Sequence, residues 1–451
     1  MYKPKRSLLP FMSFYYNAEQ RGIQMTIVGE PSLPMRPEFL TGMQEYLDQQ
    51  QKAITVARAH LKNKDFDKVA EFKDEHNMRA VEGYGDPQGE KRYRERIAIT
   101  LNKLYKLSSH TGYKADEILF TAGATGSLSA LTQHITRDAL VILPFPCHMW
   151  HHSPKMFPMD VSQHGFTAEK LDETIKEARN QHGNIHEIRL CDPHNPMGYA
   201  TSREVWEKVA IILRRPENKN ISITLDEAYA EVAFNGHVSL IEVAPDLKDR
   251  ITIIRTIGKG FSATGYRVGI VAASKKRIQE IMDPNIHIYF KVAPEIQAGY
   301  TKVMEWYENH QQEHHQDMRD FYQSQVQKIT ERTEELGIAY PKKNHHPQIF
   351  YVLMDLSEFK GLSLTSKTKE ILGTYNTSGV VETDVDVAAY LLAEKNIALF
   401  PLSYFYHDPD ACVLRITCGQ GMNLLNKVMD SVESVLQNIR QSNHSKKIIS
   451  A

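Results

Sequence analysis

A surplus of either charge is missing from this 451-residue chain: 54 Lys and Arg stand against 55 Asp and Glu, a formal net charge of −1. Proteins that hold nucleic acid by neutralising phosphates over a broad face carry a basic excess, so that class is excluded. Long apolar runs are missing too. No stretch approaches the ~18 residues that a membrane span needs. Pro10 cuts the apolar part of the opening MYKPKRSLLPFMSFYY too short for a signal-peptide core. Cysteine is scarce: Cys147, Cys191, Cys412 and Cys418 form no CxxC pair and no zinc-ligand spacing. That excludes a disulfide scaffold and fits a reduced, cytoplasmic setting with no resident metal. Repeats and low-complexity tracts are absent as well. What is present is 41% hydrophobic and 24% charged residues, enough to bury a sizeable core. At about 150 residues per domain, the length allows roughly three domains.

From about Glu117 to Ala273, short apolar runs alternate with helix-period segments. ILFTA, ALVIL, EIRLC, ISITL, ITIIRTI and RVGIVAA read as buried strands, and in SREVWEKVAIILRR the residues Val205, Val209, Ile212 and Leu213 share one face. The alternation predicts an α/β fold: a large domain with a mostly parallel, mixed sheet covered by helices on both faces. Ligands of such sheets sit at the carboxyl ends of the strands. A long polar helical stretch, about Glu295 to Leu336, leads to QIFYVLMDL and CVLRITC, read as strands of a smaller α+β domain with a helix from Asp384 to Lys395 between them. The expected division is residues 1–75 as an N-terminal arm and helices, 76–295 as the large domain, and 296–451 as the interdomain helix and small domain. Lys360 to Gly379 reads as a surface excursion with little core, and SNHSKKIISA as a frayed tail. His310 with His314 is an i, i+4 pair, but a solvated helix face, shared with His315, is the expectation over a metal site.

Several polar and small residues follow the strand runs in a fixed order. They are Tyr84-Gly85-Asp86-Pro87-Gln88-Gly89, Gly123-Ala124-Thr125-Gly126, Asn195-Pro196-Met197-Gly198, Asp226-Glu227-Ala228-Tyr229, Gly258-Lys259, Gly265-Tyr266-Arg267-Val268-Gly269 and Leu414-Arg415-Ile416. Each alone is a turn, a strand end or a surface charge. Together, with Asp226 and Tyr229 three apart, Lys259 and Arg267 eight apart, and Arg267 and Gly269 two apart, the set resembles the class I/II aminotransferases. These are the aspartate aminotransferase-like, fold-type I enzymes that use pyridoxal 5′-phosphate. The resemblance runs from about Gly29 to Arg415.

The resemblance implies a role for each residue, and the chemistry gives a reason for its type. Lys259 is the amine that forms a Schiff base with the cofactor aldehyde and then shuttles a proton at the substrate α-carbon. Asp226 keeps the pyridine nitrogen protonated, making the ring an electron sink. Tyr229 and Asn195 hydrogen-bond the phenolic oxygen and tune the lysine nitrogen. Gly123, Ala124 and Thr125 open a helix whose N–H groups face the phosphate. Arg267 pairs with phosphate oxygens through a fork that lysine lacks. A tyrosine at the place of Tyr84 reaches the neighbouring subunit's phosphate, which implies a homodimer with shared sites. The ring stacked on the cofactor is His148, by register from Pro146, or else Trp150. The family often carries a hydroxyl residue where this chain has Gly258, so Thr256 is left as the hydroxyl contact. Arg415 matches the arginine that clamps the substrate α-carboxylate, and Gly29 the N-terminal substrate-facing glycine. Tyr289 and Lys291 are candidates to line the pocket from the partner subunit. The implied reaction moves an amino group from an α-amino acid to a 2-oxo acid. A lyase, a decarboxylase or a biosynthetic cyclase or oxidase would share the same frame. A cofactor-sensing regulator would need a DNA-binding segment, and the residues ahead of Tyr84 carry no helix-turn-helix pattern.

Overall fold

The computed structural model describes residues 24–26, 29, 31–76, 78–148, 151, 153–341 and 346–450. The apolar runs pair into a seven-stranded sheet. Its strands are β1 (Ile118–Thr121), β2 (Leu140–Phe145), β3 (Lys155–Asp160), β4 (Ile185–Cys191), β5 (Ser222–Asp226), β6 (Ile251–Thr256) and β7 (Gly269–Ala272). Their spatial order is β1-β7-β6-β5-β4-β2-β3. β3, β2, β4, β5 and β6 are mutually parallel, whereas β7 runs antiparallel between β6 and β1. Helices on both faces leave β1, β6 and β7 buried at every residue, which is why these strands read as unbroken apolar runs. β3 is the strand that the apolar-run pattern misses. It lies at the sheet edge with alternating burial, and an edge tolerates its Pro158 because one side of the ladder is unpaired.

The crossover helix Arg203–Arg214 shows how the local sequence builds the layers. Ser202 caps it by accepting from the Val205 N–H, and Trp206, Val209, Ala210, Ile212 and Leu213 are buried along one face. Val205 is only half-buried. The helix Gly123–His134 starts two residues after β1, so its amino end lies at that strand's carboxyl end.

A second core surrounds a four-stranded antiparallel sheet. Its strands are β8 (Ala339–Tyr340), β9 (Tyr351–Asp355), β10 (Phe400–Pro401) and β11 (Val413–Thr417), in the order β10-β11-β9-β8. Val352, Met354, Ile416, Leu391 and Val432 meet there. The helix Asp384–Lys395 begins with a capping box in which Thr383 and Asp386 satisfy each other's backbone N–H. The N-terminal segment belongs to this half. Gln24 and Met25 pair in parallel with Ile397 and Ala398, the Thr26 hydroxyl donates to the Ala398 carbonyl, and the Thr417 N–H donates to the Thr26 carbonyl.

Three local expectations change. The long helix Pro294–Met318 kinks at His310, passes a π turn at Arg319–Gln323 and resumes as Ser324–Glu335. His310 is exposed as expected, but His314 and His315 are buried. His314 Nε2 lies 2.9 Å from the Glu231 carbonyl and His315 Nε2 lies 3.1 Å from the Tyr307 hydroxyl. Burial pushes their pKa values down to about 3 and about 4. A neutral imidazole with one hydrogen-bond partner costs less to bury than a charged one, and composition does not reveal that. Residues Ser366–Leu372 form a helix with Thr368 and Leu372 buried, inside the segment expected to carry little core. The C-terminal helix Met422–Ser450 continues through the expected frayed tail. Among the described residues, no helix is long and apolar enough to cross a membrane.

Candidate active site

Parallel pairing brings the ends of β2, β4, β5 and β6 to one edge of the sheet, and β1, two antiparallel steps from β6, ends there too. The residues that follow these strands therefore converge. One cavity is lined by Gly123, Ala124, Thr125, His148, Asn195, Asp226, Tyr229, Thr256, Lys259 and Arg267, together with Leu128, Cys191, Ala228, Gly258 and Thr264. Ten of the residues singled out in the sequence are among them.

At the floor, Asp226 ends β5 with its carboxylate buried. One oxygen accepts from the Ala228 N–H at 3.1 Å, and the other lies 3.1 Å from His151 Nε2. The two hydrogen bonds fix the carboxylate's direction. His151, Cys191 and Asp226 also hold atoms within 4.8 Å of one another, a grouping of metal-ligating types among the described residues. The imidazole already serves the carboxylate, however, and the Cys191 thiol donates to the Pro193 carbonyl.

Asn195, Tyr229 and Arg415 form one chain of contacts. Arg415 Nη1 donates to Asn195 Oδ1 at 2.6 Å, and Asn195 Nδ2 donates to the Tyr229 hydroxyl at 3.0 Å. The Arg415 guanidinium lies over the Tyr351 ring, 4.1 Å from its centre, with Phe400 and Phe405 at 5.2 and 5.0 Å. Burial pushes the arginine pKa down, against the opposite pull of Tyr351 and Tyr229. Lys259 Nζ donates to the Gly29 carbonyl at 2.6 Å. Gly29 has no room for a side chain, because a Cβ there would come 2.2 Å from the Tyr351 oxygen.

The opposite wall is built for an anion. Gly123, at φ +70°, starts the helix Gly123–His134, and a Cβ on it would stand 3.2 Å from Arg267 Nη2. Backbone N–H groups and a guanidinium thus face the same space. Thr256 lines the cavity, its Oγ1 donating to the Val268 carbonyl at 2.7 Å and accepting from the Gly258 N–H at 3.2 Å. Thr264 also lines the cavity, but donates to the Gly258 carbonyl at 2.6 Å. His148 lies between these walls, with its pKa pushed down to about 3 by burial first, then by His151, Arg415 and Lys259. Trp150 lies outside the described residues. Tyr84 is not brought in. It is 82% exposed and packs its ring against Phe290 at 5.4 Å, and Tyr289 and Lys291 lie on the same stretch, Lys291 Nζ 3.4 Å from the Gly83 carbonyl.

The family described as Aminotransferase class I and II matches residues 42–432. This chain belongs to that family. It is 26% identical over 351 residues to an aspartate aminotransferase of Bacillus sp. (strain YM-2), covering 73% of this chain and 78% of that protein. It is 22% identical over 403 residues to the methionine aminotransferase of Escherichia coli K12, covering 85% and 92%. The fold is similar to that of the aspartate aminotransferase from Rhizobium meliloti, with a TM-score of 0.71 at 18% identity over 96% of each chain. As a class I and II aminotransferase, the enzyme is pyridoxal phosphate-dependent and transfers an amino group between an amino acid and a 2-oxo acid. This family assignment favours amino-group transfer over the lyase, decarboxylase, cyclase and regulatory alternatives.

Sequence reasoning missed three residues of this aminotransferase's cavity region: His151, Tyr351 and Thr264. His151 lies three positions past His148 in a run of four aromatic or imidazole side chains, CHMWHH, where stacking drew attention away from hydrogen bonding. Tyr351 is hidden inside an apolar strand run. A hydrogen bond to a charged group is worth about 1.5–3 kcal/mol, so His151→Ala is expected to weaken cofactor binding roughly 10- to 100-fold. Equilibrium dialysis of the reconstituted protein measures this. An unchanged dissociation constant would show that Asp226 needs no support from the imidazole.

Proposed function

We propose that Lys259 is the amine that bonds the cofactor and carries the proton at the substrate α-carbon, with Asp226 against the pyridine nitrogen and Tyr229 and Asn195 at the phenolic oxygen. The observation that carries this reading is the single cavity in which Lys259, Asp226, Tyr229, Asn195 and Arg267 meet. Pyridoxal phosphate, when bound, supplies an aldehyde carbon and a ring that accepts an electron pair. The fit is supported from both ends: a glycine cradle beside Arg267 that a Cβ would crowd, and a buried carboxylate oriented by His151. Gly123, Ala124, Thr125 and Arg267 hold the phosphate. His148, neutral through burial, stacks on the ring face, with Trp150 as the other candidate. Gly29 faces the substrate and Arg415 clamps its carboxylate.

The finer assembly follows from the same reading. A homodimer gives Tyr84 a role, since its exposed ring is free to enter a second copy's phosphate site; light scattering at about twice the 51.7 kDa chain mass checks it. The division near residue 295 is supported by the separation of the seven-stranded sheet, within residues 118–272, from the four-stranded sheet, within residues 339–417, and limited proteolysis probes it together with the boundary at residue 75. A cytoplasmic location rests on the reduced, buried cysteines and is checked by fractionation.

Two experiments address the core of the proposal. Borohydride reduction of the reconstituted protein, followed by peptide mapping, is expected to place the pyridoxyl adduct on Lys259; an adduct on another lysine refutes the assignment. Arg415→Ala is expected to lower kcat/KM for amino acids by roughly 30-fold to a few thousand-fold, because truncating one partner of a buried charge pair costs about 2–5 kcal/mol. A primary amine without a carboxylate should lose little further in this variant. Rates for amino acids within about twofold of wild type would make Arg415 a structural residue.

A further inference from the structure

The Tyr229 hydroxyl has two neighbours, and only one was assigned a use above. Asn195 is one. Its Oδ1 is committed to Arg415 at 2.6 Å, which fixes the amide so that Nδ2 donates to the Tyr229 oxygen at 3.0 Å. The other is the hydroxyl of Tyr351, at 2.9 Å. Tyr351 sits at the start of β9 with its side chain buried under the Arg415 guanidinium. A phenol has one proton to give. When Tyr229 gives its proton to the cofactor's phenolic oxygen, its own oxygen must accept from both neighbours, and Tyr351 is then a donor.

We infer that Tyr351 is a positioning residue that donates its hydroxyl proton to Tyr229 and so strengthens the hydrogen bond from Tyr229 to the cofactor. This rests on the reading of Lys259 and Tyr229 above. Burial raises both phenols and Arg415 pulls both back down, with its guanidinium 4.1 Å from the centre of the Tyr351 ring. The other titratable groups facing the pair are Cys191, Lys259, Arg415 and His148, with Asp226 and His151 on the cavity floor. A stronger donation from Tyr229 stabilises negative charge on the phenolic oxygen. That lowers the pH at which Lys259 Nζ releases its proton.

The test is a pH titration of the bound cofactor's absorbance in the holoenzyme. Tyr351→Phe keeps the ring over Arg415 and removes only the hydroxyl. It is expected to raise the midpoint by about 0.4 to 1 pH unit, the worth of one neutral hydrogen bond. Tyr229→Phe should raise it further, and the double variant should titrate with Tyr229→Phe alone, because the effect of Tyr351 runs through Tyr229. A Tyr351→Phe midpoint within about 0.2 units of wild type overturns the inference, and so does an additive shift in the double variant. If the wild type forms no lysine-bound chromophore, the reading of Lys259 falls and takes this inference with it; the other two failures leave that reading standing.

Discussion

Parallel strands cannot be joined by a tight turn, and β2 to β6 pair only in parallel with one another. Each is joined to the next of the five by a crossover along one face of the sheet, so all five strands point the same way and release their next residues at one edge. The separate segments that carry His148, Asn195, Asp226 and Lys259 share a cavity for that reason, and Gly123 joins them because β1 lies two antiparallel steps from β6. Burial of the sheet on both faces sets a second requirement. Polar side chains on its strands need partners within the core: Glu187 and Arg189 pair at 2.9 Å with neither exposed, and Arg255 lies between Glu227 and Glu231.

The antiparallel sheet contributes the other half of the site by register. Leu353 faces Arg415 across the β9–β11 ladder, which places Tyr351, two residues earlier on the same face, diagonally beside the guanidinium. Phe400 is Arg415's partner on the other side. A buried arginine is thus held in place by rings and by one amide oxygen. The amide hands that orientation on to Tyr229, so Arg415, Asn195 and Tyr229 share a continuous line of hydrogen bonds.

How much of this was legible in the sequence depended on the kind of force involved. Strands buried on both faces announce themselves as apolar runs, and six of the seven were readable; edge strand β3, with Pro158 and alternating burial, was not. Residues whose chemistry dictates their type, such as Lys259, Asp226 and Arg267, stood out through order and spacing. Residues whose role comes from an orientation did not. Tyr351 looks like any aromatic in a strand, and nothing in the letters says that its oxygen meets that of Tyr229. The side chains of His314 and His315 follow the same rule, since a helix rich in polar residues does not declare which of them packs inward. Tyr84 stood out only through the resemblance, and its exposed ring is not among the residues that line the cavity.

The docking of the N-terminal segment has a bearing on how the chain comes to be assembled. The Thr26 hydroxyl binds a carbonyl 372 residues further along, and Lys259 reaches back 230 residues to Gly29. During synthesis at about 5–20 residues per second, the segment leaves the ribosome roughly 20 to 75 s before its strand partner exists. It must wait undocked while the seven-stranded sheet is completed. This early-made segment is therefore among the last parts to find its place, and the Gly29 carbonyl reaches Lys259 only when it does.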